Sequence, residues 1–210
     1  MTQPFWAPEY DVTADEARDL IASQFPALQP HSVEPFGSGM DNVAYLVNAT
    51  YVFRFPRRAI VVPLLETEAR ALPLIASQLP TPIPVPRFVG EPQGNYPWIF
   101  AGYEMLPGIP ACTAVLSGEQ RAGLAASLGT FLRALHAIDP AVAAAYLPRD
   151  NIGRFDHAKR MPLSEERFSH LEATGYITDA APFLDFLRRH PPGELEPRAI
   201  VHGDLYARHV

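Results

Sequence analysis

Asp204 stands five residues before His209 in the segment His202-Gly203-Asp204-Leu205-Tyr206-Ala207-Arg208-His209-Val210. A carboxylate in a short loop can take the proton of an attacking hydroxyl, and a nearby metal ligand can hold the phosphate that the hydroxyl attacks. The pattern H-R-D-x-x-x-x-N performs this phosphoryl-transfer chemistry with the same interval between its Asp and its metal-binding residue. His202 opens the loop and reads as structural, a ring that holds the loop by hydrogen bonds.

Four upstream groups could serve the same chemistry. Phe36-Gly37-Ser38-Gly39-Met40-Asp41-Asn42 lies between two β-rich runs, and glycines there let backbone N–H groups approach an anion. Two of the three glycines of G-x-G-x-x-G are present, with Asn42 in the third place, so a plain hairpin turn is the alternative. Arg54, in Val52-Phe53-Arg54-Phe55, is opposed to its two Phe neighbours by strand alternation. Lys159 is the chain's lysine and lies far downstream, so a phosphate-holding cation in the first half has to be an arginine. Guanidinium grips phosphate bidentately and stays charged; the alternative is a surface cation. Glu68 or Glu66 could pair with Arg54, but they project about 200° apart on a helix and cannot both face it. Glu104, Met105 and Leu106 run into Pro107-Gly108, a strand exit that can offer backbone groups to a purine edge or form an ordinary turn.

These groups need elements to carry them. Thr13-Ala14-Asp15-Glu16 is a capping box that opens a helix over about 14–24. Three short β runs follow, at 33–36, 43–47 and 51–55, with Asn48-Ala49-Thr50 a tight connection. A helix is expected over about 64–79, kinked or split at Pro73. After the ladder from Pro80 to Pro86 come strands near 87–90 and 98–105. Ser117 to Gln120 opens a periodic helix to about 136, with Leu124, Leu128, Phe131, Leu132 and Leu135 on one face. His136 reads as a packed histidine of that helix. Residues 139–163 look irregular, short helices follow at 164–173 and 180–190, and 198–201 reads as a strand.

The chain has 210 residues, 48% hydrophobic and 19% charged, enough for a sizeable core. A net charge of −6 argues against a general nucleic-acid binder. Cys112 is the lone cysteine, so no internal disulfide or paired-Cys zinc site is available, and the cytoplasm is expected. No stretch has the roughly 20 apolar residues that span a bilayer, so no membrane partner is expected. H-E-x-x-H and G-x-S-x-G patterns are missing, which removes zinc-protease and serine-hydrolase chemistry.

Taken in order, the Gly-rich turn, strand Arg, helix Glu, Pro-Gly linker, periodic helix and His-Gly-Asp loop resemble the aminoglycoside phosphotransferase and choline kinase superfamily, over about residues 33–210. Gly39-Met40-Asp41-Asn42, Phe53-Arg54-Phe55-Pro56-Arg57-Arg58, Thr67-Glu68-Ala69-Arg70 and Gly108-Ile109-Pro110-Ala111 look closest to its macrolide branch, which also has His where His209 stands. The resemblance implies an α+β, protein-kinase-like two-lobe fold. Residues 1–106 would form a nucleotide-binding lobe of antiparallel sheet plus helix, and residues 107–210 part of a mostly helical second lobe.

The resemblance also implies roles. Asp204 would be the catalytic base and His209 would stand at the second metal position. Arg54, paired with Glu68, would hold the nucleotide phosphates. Gly37, Ser38, Gly39 and Asn42 would cover them, and Glu104, Met105 and Leu106 would line the purine pocket. ATP or GTP with magnesium would be the donor, and a macrolide, an aminoglycoside or a hydroxyl-bearing metabolite the acceptor. Magnesium prefers oxygen ligands, which leaves His209 a role through water or in orienting Asp204. The family has a further metal-binding Asp downstream of this loop, in a segment usually reading Ile-Asp-Trp, and the 210 residues do not contain it. The expectation is therefore a fragment or truncated kinase without activity of its own, or alternatively a non-catalytic nucleotide-binding or interaction module.

Overall fold

The computed structural model describes residues 7–148, 153, 156–193 and 198–210. The chain packs as two compact units, one running to Leu147 and completed by Ala199–Val210, the other Pro148–Arg198.

In the first unit five strands form one antiparallel sheet. They are β1 (Val33–Ser38), β2 (Asn42–Val47), β3 (Tyr51–Pro56), β4 (Phe88–Gly90) and β5 (Phe100–Glu104), in the order β1-β2-β3-β5-β4. Asn48 and Ala49 turn the β2–β3 hairpin with φ of 53° and 52°. Asn tolerates that left-handed conformation, and here its side chain also accepts from His31 and Ser32 N–H.

Alternation sorts the sheet into two faces. Tyr45, Phe53, Phe55 and Phe100 are buried with Leu20 and Ile21 of helix α1 (Ala14–Gln24). The helix begins as expected, at Thr13, whose hydroxyl accepts from Glu16 N–H. Phe53 lies across from Gly102, where an added Cβ would stand 2.5 Å from the Phe53 ring. Glycine is required there by space rather than by dihedral angle. The other face carries Arg54.

Helix α2 (Val62–Ile75) runs through Pro73 and then tightens into a 3-10 turn at Ala76–Gln78. The expected split does not occur. Pro73 falls in the last turn, where its missing N–H costs the helix one bond to Ala69 and interrupts no further helix. Helix α3 (Gly118–Ala137) carries the full capping box of Ser117 and Gln120. Its C-terminal Leu135 joins Ile75, Ile138 and Ile200 in a second core cluster, with Leu72 and Phe131 at its edge. Leu124 and Leu128 are half-buried, and His136 is exposed rather than packed.

Two further expectations need correction. Residues 198–201 form no strand; Ile200 is instead a buried anchor of the second cluster, so its apolar character reports burial without pairing. The stretch 139–163, of which 149–152 and 154–155 lie outside the described residues, is less irregular than its sequence suggests. Pro140–Ala143 is a 3-10 turn, and the second unit's first helix, α4 (His157–Ala173), starts at His157 under an Asp156 cap. Its polar opening turn hides it from hydrophobic periodicity. Within that unit α5 (Ala181–Arg189) packs on α4 through the stacked Phe168–Phe183 pair and the 2.8 Å Arg188–Glu165 ion pair.

Candidate active site

The sheet face opposite the aromatic core brings Arg54 to α2. Its Nη2 pairs with Glu68 Oε2. Helical geometry thus chooses Glu68 over Glu66. The Arg54 Nε is buried and has no hydrogen-bond partner. A buried guanidinium donor left over after the ion pair is a group suited to an incoming anion. Tyr103 of β5 belongs to the same face, since Val52 pairs with it and Arg54 with Ala101. Burial pushes the Tyr103 hydroxyl pKa up, and the charges of Arg54 and Glu68 both act on it.

The 202–209 loop is turned by Gly203 at φ 79°, a conformation that needs glycine. His209 Nδ1 lies 2.6 Å from the Asp204 carbonyl oxygen, and Asp204 N–H donates toward His202 Nδ1 at 3.4 Å. The two imidazole rings are 5.8 Å apart. His202 has its pKa lowered, first by burial of part of its ring and then by His209, although the residue as a whole keeps an exposed edge. The Glu68 carboxylate also acts on His202, in the opposite direction. The Asp204 carboxylate is 75% exposed.

The loop is anchored from outside. Cys112 N–H donates to Ala207 O at 3.0 Å and Ala111 N–H to Val210 O at 2.7 Å. An apolar groove lined by Leu124, Leu128, Leu205, Tyr206 and Val210 runs between α3 and this loop.

The glycine turn is closed by Gly39 N–H donating to Asn42 O at 2.9 Å. Gly37 and Gly39 keep ordinary negative or extended φ, so their value is space: a Cβ at Gly37 would meet nothing within 4 Å. Phe36 is the extra residue of a bulge between Pro35 and Gly37. Arg57 donates to Gly39 O and Ser38 Oγ, and Arg58 pairs with Asp41.

At the linker, Glu104 pairs with Arg87 at 2.6 Å. Met105 N–H donates to Thr50 O at 2.8 Å. That bond ties the linker to Thr50, the residue before β3.

Sequence reasoning missed Tyr103, Arg57 with Asp11, and the Ala111–Cys112 anchor. Strand alternation on β5 signals Tyr103; the others rest on contacts distant in sequence. Among the described residues no group of three or more His, Cys, Asp and Glu could hold a metal ion. Asp204 and His209 supply one carboxylate and one imidazole, which falls short of the oxygen-rich shell magnesium demands. The described residues do not make a magnesium site by themselves.

The Arg54–Glu68 pair on the sheet and the 202–209 loop belong to the same compact unit, and comparison with known proteins shows the family. The model of the phosphotransferase enzyme family matches residues 32–210, and the chain belongs to this family. Among solved structures, the GDP complex of a point mutant of aminoglycoside 2′-phosphotransferase-IIIa is 25% identical, with a TM-score of 0.67 over 85% of this chain and 60% of that one. The GDP and kanamycin complex of APH(2″)-IIIa is 27% identical, with a TM-score of 0.61 over 81% of this chain and 56% of that one. Macrolide 2′-phosphotransferase MphH from Brachybacterium faecium, an apoenzyme, is 21% identical with a TM-score of 0.55 over 91% and 67%, a likeness of fold. The chain spans about 60% of the length of the first of these solved structures. No curated protein matches it. Among the described residues no helix is long and apolar enough to cross a membrane.

Proposed function

We propose that this chain belongs to a small-molecule kinase that moves the γ-phosphoryl group of GTP or ATP to a hydroxyl of an aminoglycoside, macrolide or similar metabolite, in the cytoplasm. The observation that carries the reading is Arg54, fixed by Glu68 with a buried Nε–H left over.

In this reading Arg54 holds the nucleotide phosphates and Glu68 fixes its rotamer. Gly37, Ser38, Gly39 and Asn42 offer a close backbone cover. The linker Glu104, Met105 and Leu106 flanks the base, with residues 1–106 as the nucleotide-binding lobe and 107–210 as part of the second. Asp204 orients the acceptor hydroxyl and takes its proton. His209 orients Asp204 through the main chain. Asp204 and His209 would lie beside a magnesium ion carried in by the triphosphate, which would supply neutralisation of phosphate charge.

GTP is the first donor to try, because two of the solved relatives hold GDP. The test is titration of the chain with a fluorescent GTP or ATP analogue, with and without magnesium, for wild type and Arg54→Ala. Saturable binding that Arg54→Ala weakens about tenfold or more supports the reading, the scale of a lost charge-assisted contact. Binding unaffected by Arg54→Ala sinks it. The sparse metal-ligand set favours a second reading, a nucleotide-binding module without transfer. Binding with no release of labelled phosphate to any of a panel of macrolides and aminoglycosides would select it.

A further inference from the structure

We propose that Arg57 is a positioning residue for the glycine turn and that Asp11 holds it there, so that the segment ahead of α1 is part of the nucleotide-binding apparatus. This rests on the nucleotide reading above.

Arg57 follows directly on β3 and is bonded through its N–H, its carbonyl and both Nη atoms, while its Nε makes no hydrogen bond. Its N–H donates to Asp41 O at 2.8 Å, and its carbonyl accepts from Glu9 N–H at 2.8 Å and Tyr10 N–H at 3.1 Å. Its guanidinium reaches both ways. Nη1 donates to Gly39 O at 2.7 Å and Ser38 Oγ at 3.2 Å, while Nη2 donates to Asp11 Oδ2 at 3.1 Å and Nε faces Asp11 Oδ1 at 3.0 Å. The side chain is 15% exposed. Few residues other than arginine can span two such sets of acceptors with one rigid fork.

The far end of this connection is fixed. Val12, beside Asp11, is buried in the main core, and its carbonyl accepts from Tyr45 Oη at 2.6 Å. Thr13 then caps α1. The near end has little packing of its own: no atom lies within 4 Å of a Cβ built on Gly37, and one built on Gly39 meets only Asn42 O at 3.9 Å. Polar bonds therefore set the shape of the turn, with the Arg58–Asp41 pair as a second clasp. A Gly39 carbonyl tied to a guanidinium cannot turn toward an anion, which keeps the turn fit for phosphate. Asp11 neutralises Arg57, so Arg57 acts as a clasp and leaves the phosphates to Arg54.

The experiment compares wild type, Arg57→Ala, Arg57→Lys and Asp11→Asn of the 210-residue chain. Hydrogen exchange of the amides at 38–42 and the dissociation constants for magnesium GTP and magnesium ATP analogues are measured. Arg57→Ala should speed exchange at 38–42 about tenfold, Asp11→Asn about threefold, and Arg57→Lys should fall between, as expected for losing one or two charge-assisted bonds. Exchange in the middle of α1 and β3 should stay as in wild type, which a general loss of stability would not allow. Nucleotide affinity should weaken in the same order, since binding is reduced by the fraction of molecules with a misshapen turn.

Unchanged exchange at 38–42, or faster exchange everywhere alike, overturns the proposal. So does a loosened turn that binds nucleotide as tightly as wild type. If wild type itself binds neither nucleotide, the nucleotide reading fails, while a locally loosened turn still supports the clasp. If Arg57→Ala does not fold, Asp11→Asn and Arg57→Lys decide.

Discussion

His209 is bound to the main chain of Asp204 and not to its carboxylate: Nδ1 lies 2.6 Å from the Asp204 carbonyl oxygen and 4.0 Å from Oδ2. A carbonyl oxygen only accepts, so Nδ1 carries the hydrogen and Nε2 the lone pair. Long-range nitrogen–proton NMR at pH 8 should show His209 as the Nδ1–H tautomer. An Nε2–H tautomer would mean that the loop is held in some other way.

His202 should titrate below the ordinary histidine value of 6.5, because ring burial and then His209 both disfavour its charge. His209→Asn should raise the midpoint without restoring it to 6.5, since burial is the larger cause. The consequence for stability has a definite sign. The unfolded chain binds this proton more readily than the folded one, so stability falls as pH drops from 6.5 toward the folded midpoint and is fully present above 6.5. Histidine NMR titration in metal-free buffer reads the midpoint. A His202 midpoint above 6.5 would contradict the geometry.

Arg54 should matter to binding far more than to folding. Its pair with Glu68 is partly exposed, at 27% and 39%, so Arg54→Ala should cost about 1 kcal/mol of stability or less. Glu68→Gln should weaken nucleotide binding less than Arg54→Ala does, since the guanidinium remains and loses its orientation. Urea unfolding and calorimetric titration of both variants give the two quantities. Equal losses of affinity would show that Glu68 touches the nucleotide itself.

Much of this was legible before any coordinates. The capping residues Thr13 and Ser117 announce their helices by local hydrogen bonds, and alternation alone turns Arg54 away from the Phe53 and Phe55 core. What stayed hidden is tertiary. Asp11 and Arg57 are 46 residues apart, and no periodic pattern links them. Ile200 looks like a strand residue because burial and β-pairing favour the same apolar side chains, and only packing against Ile75 and Leu135 distinguishes the two. The opening turn of α4 is polar, so its start is marked by Asp156 alone.

Gly102→Ala should be among the more damaging single changes in the sheet. The new methyl would lie 2.5 Å from the fully buried Phe53 ring, which is stacked on Phe88 and has no room to retreat. Overpacking of this kind costs about 1–3 kcal/mol. The double variant Gly102→Ala with Phe53→Leu should recover part of the loss in denaturant titration. No recovery would place the strain in the backbone instead of the ring.

Asp204→Asn separates the catalytic reading of the loop from a structural one. The carboxylate is 75% exposed and stands 4.0 Å from His209 Nδ1, while the loop is held by the Asp204 carbonyl, the Cys112 and Ala111 amides and the Gly203 turn. None of these bonds uses the carboxylate. The substitution should therefore change stability by about 0.5 kcal/mol or less and leave the loop's hydrogen exchange and the nucleotide dissociation constant within about twofold, since 0.4 kcal/mol is a factor of two. Any transfer of phosphate to a hydroxyl acceptor should fall by about 100-fold or more, the scale on which a lost general base acts. Transfer that survives Asp204→Asn at its original rate would remove Asp204 from the chemistry and leave the loop as a scaffold.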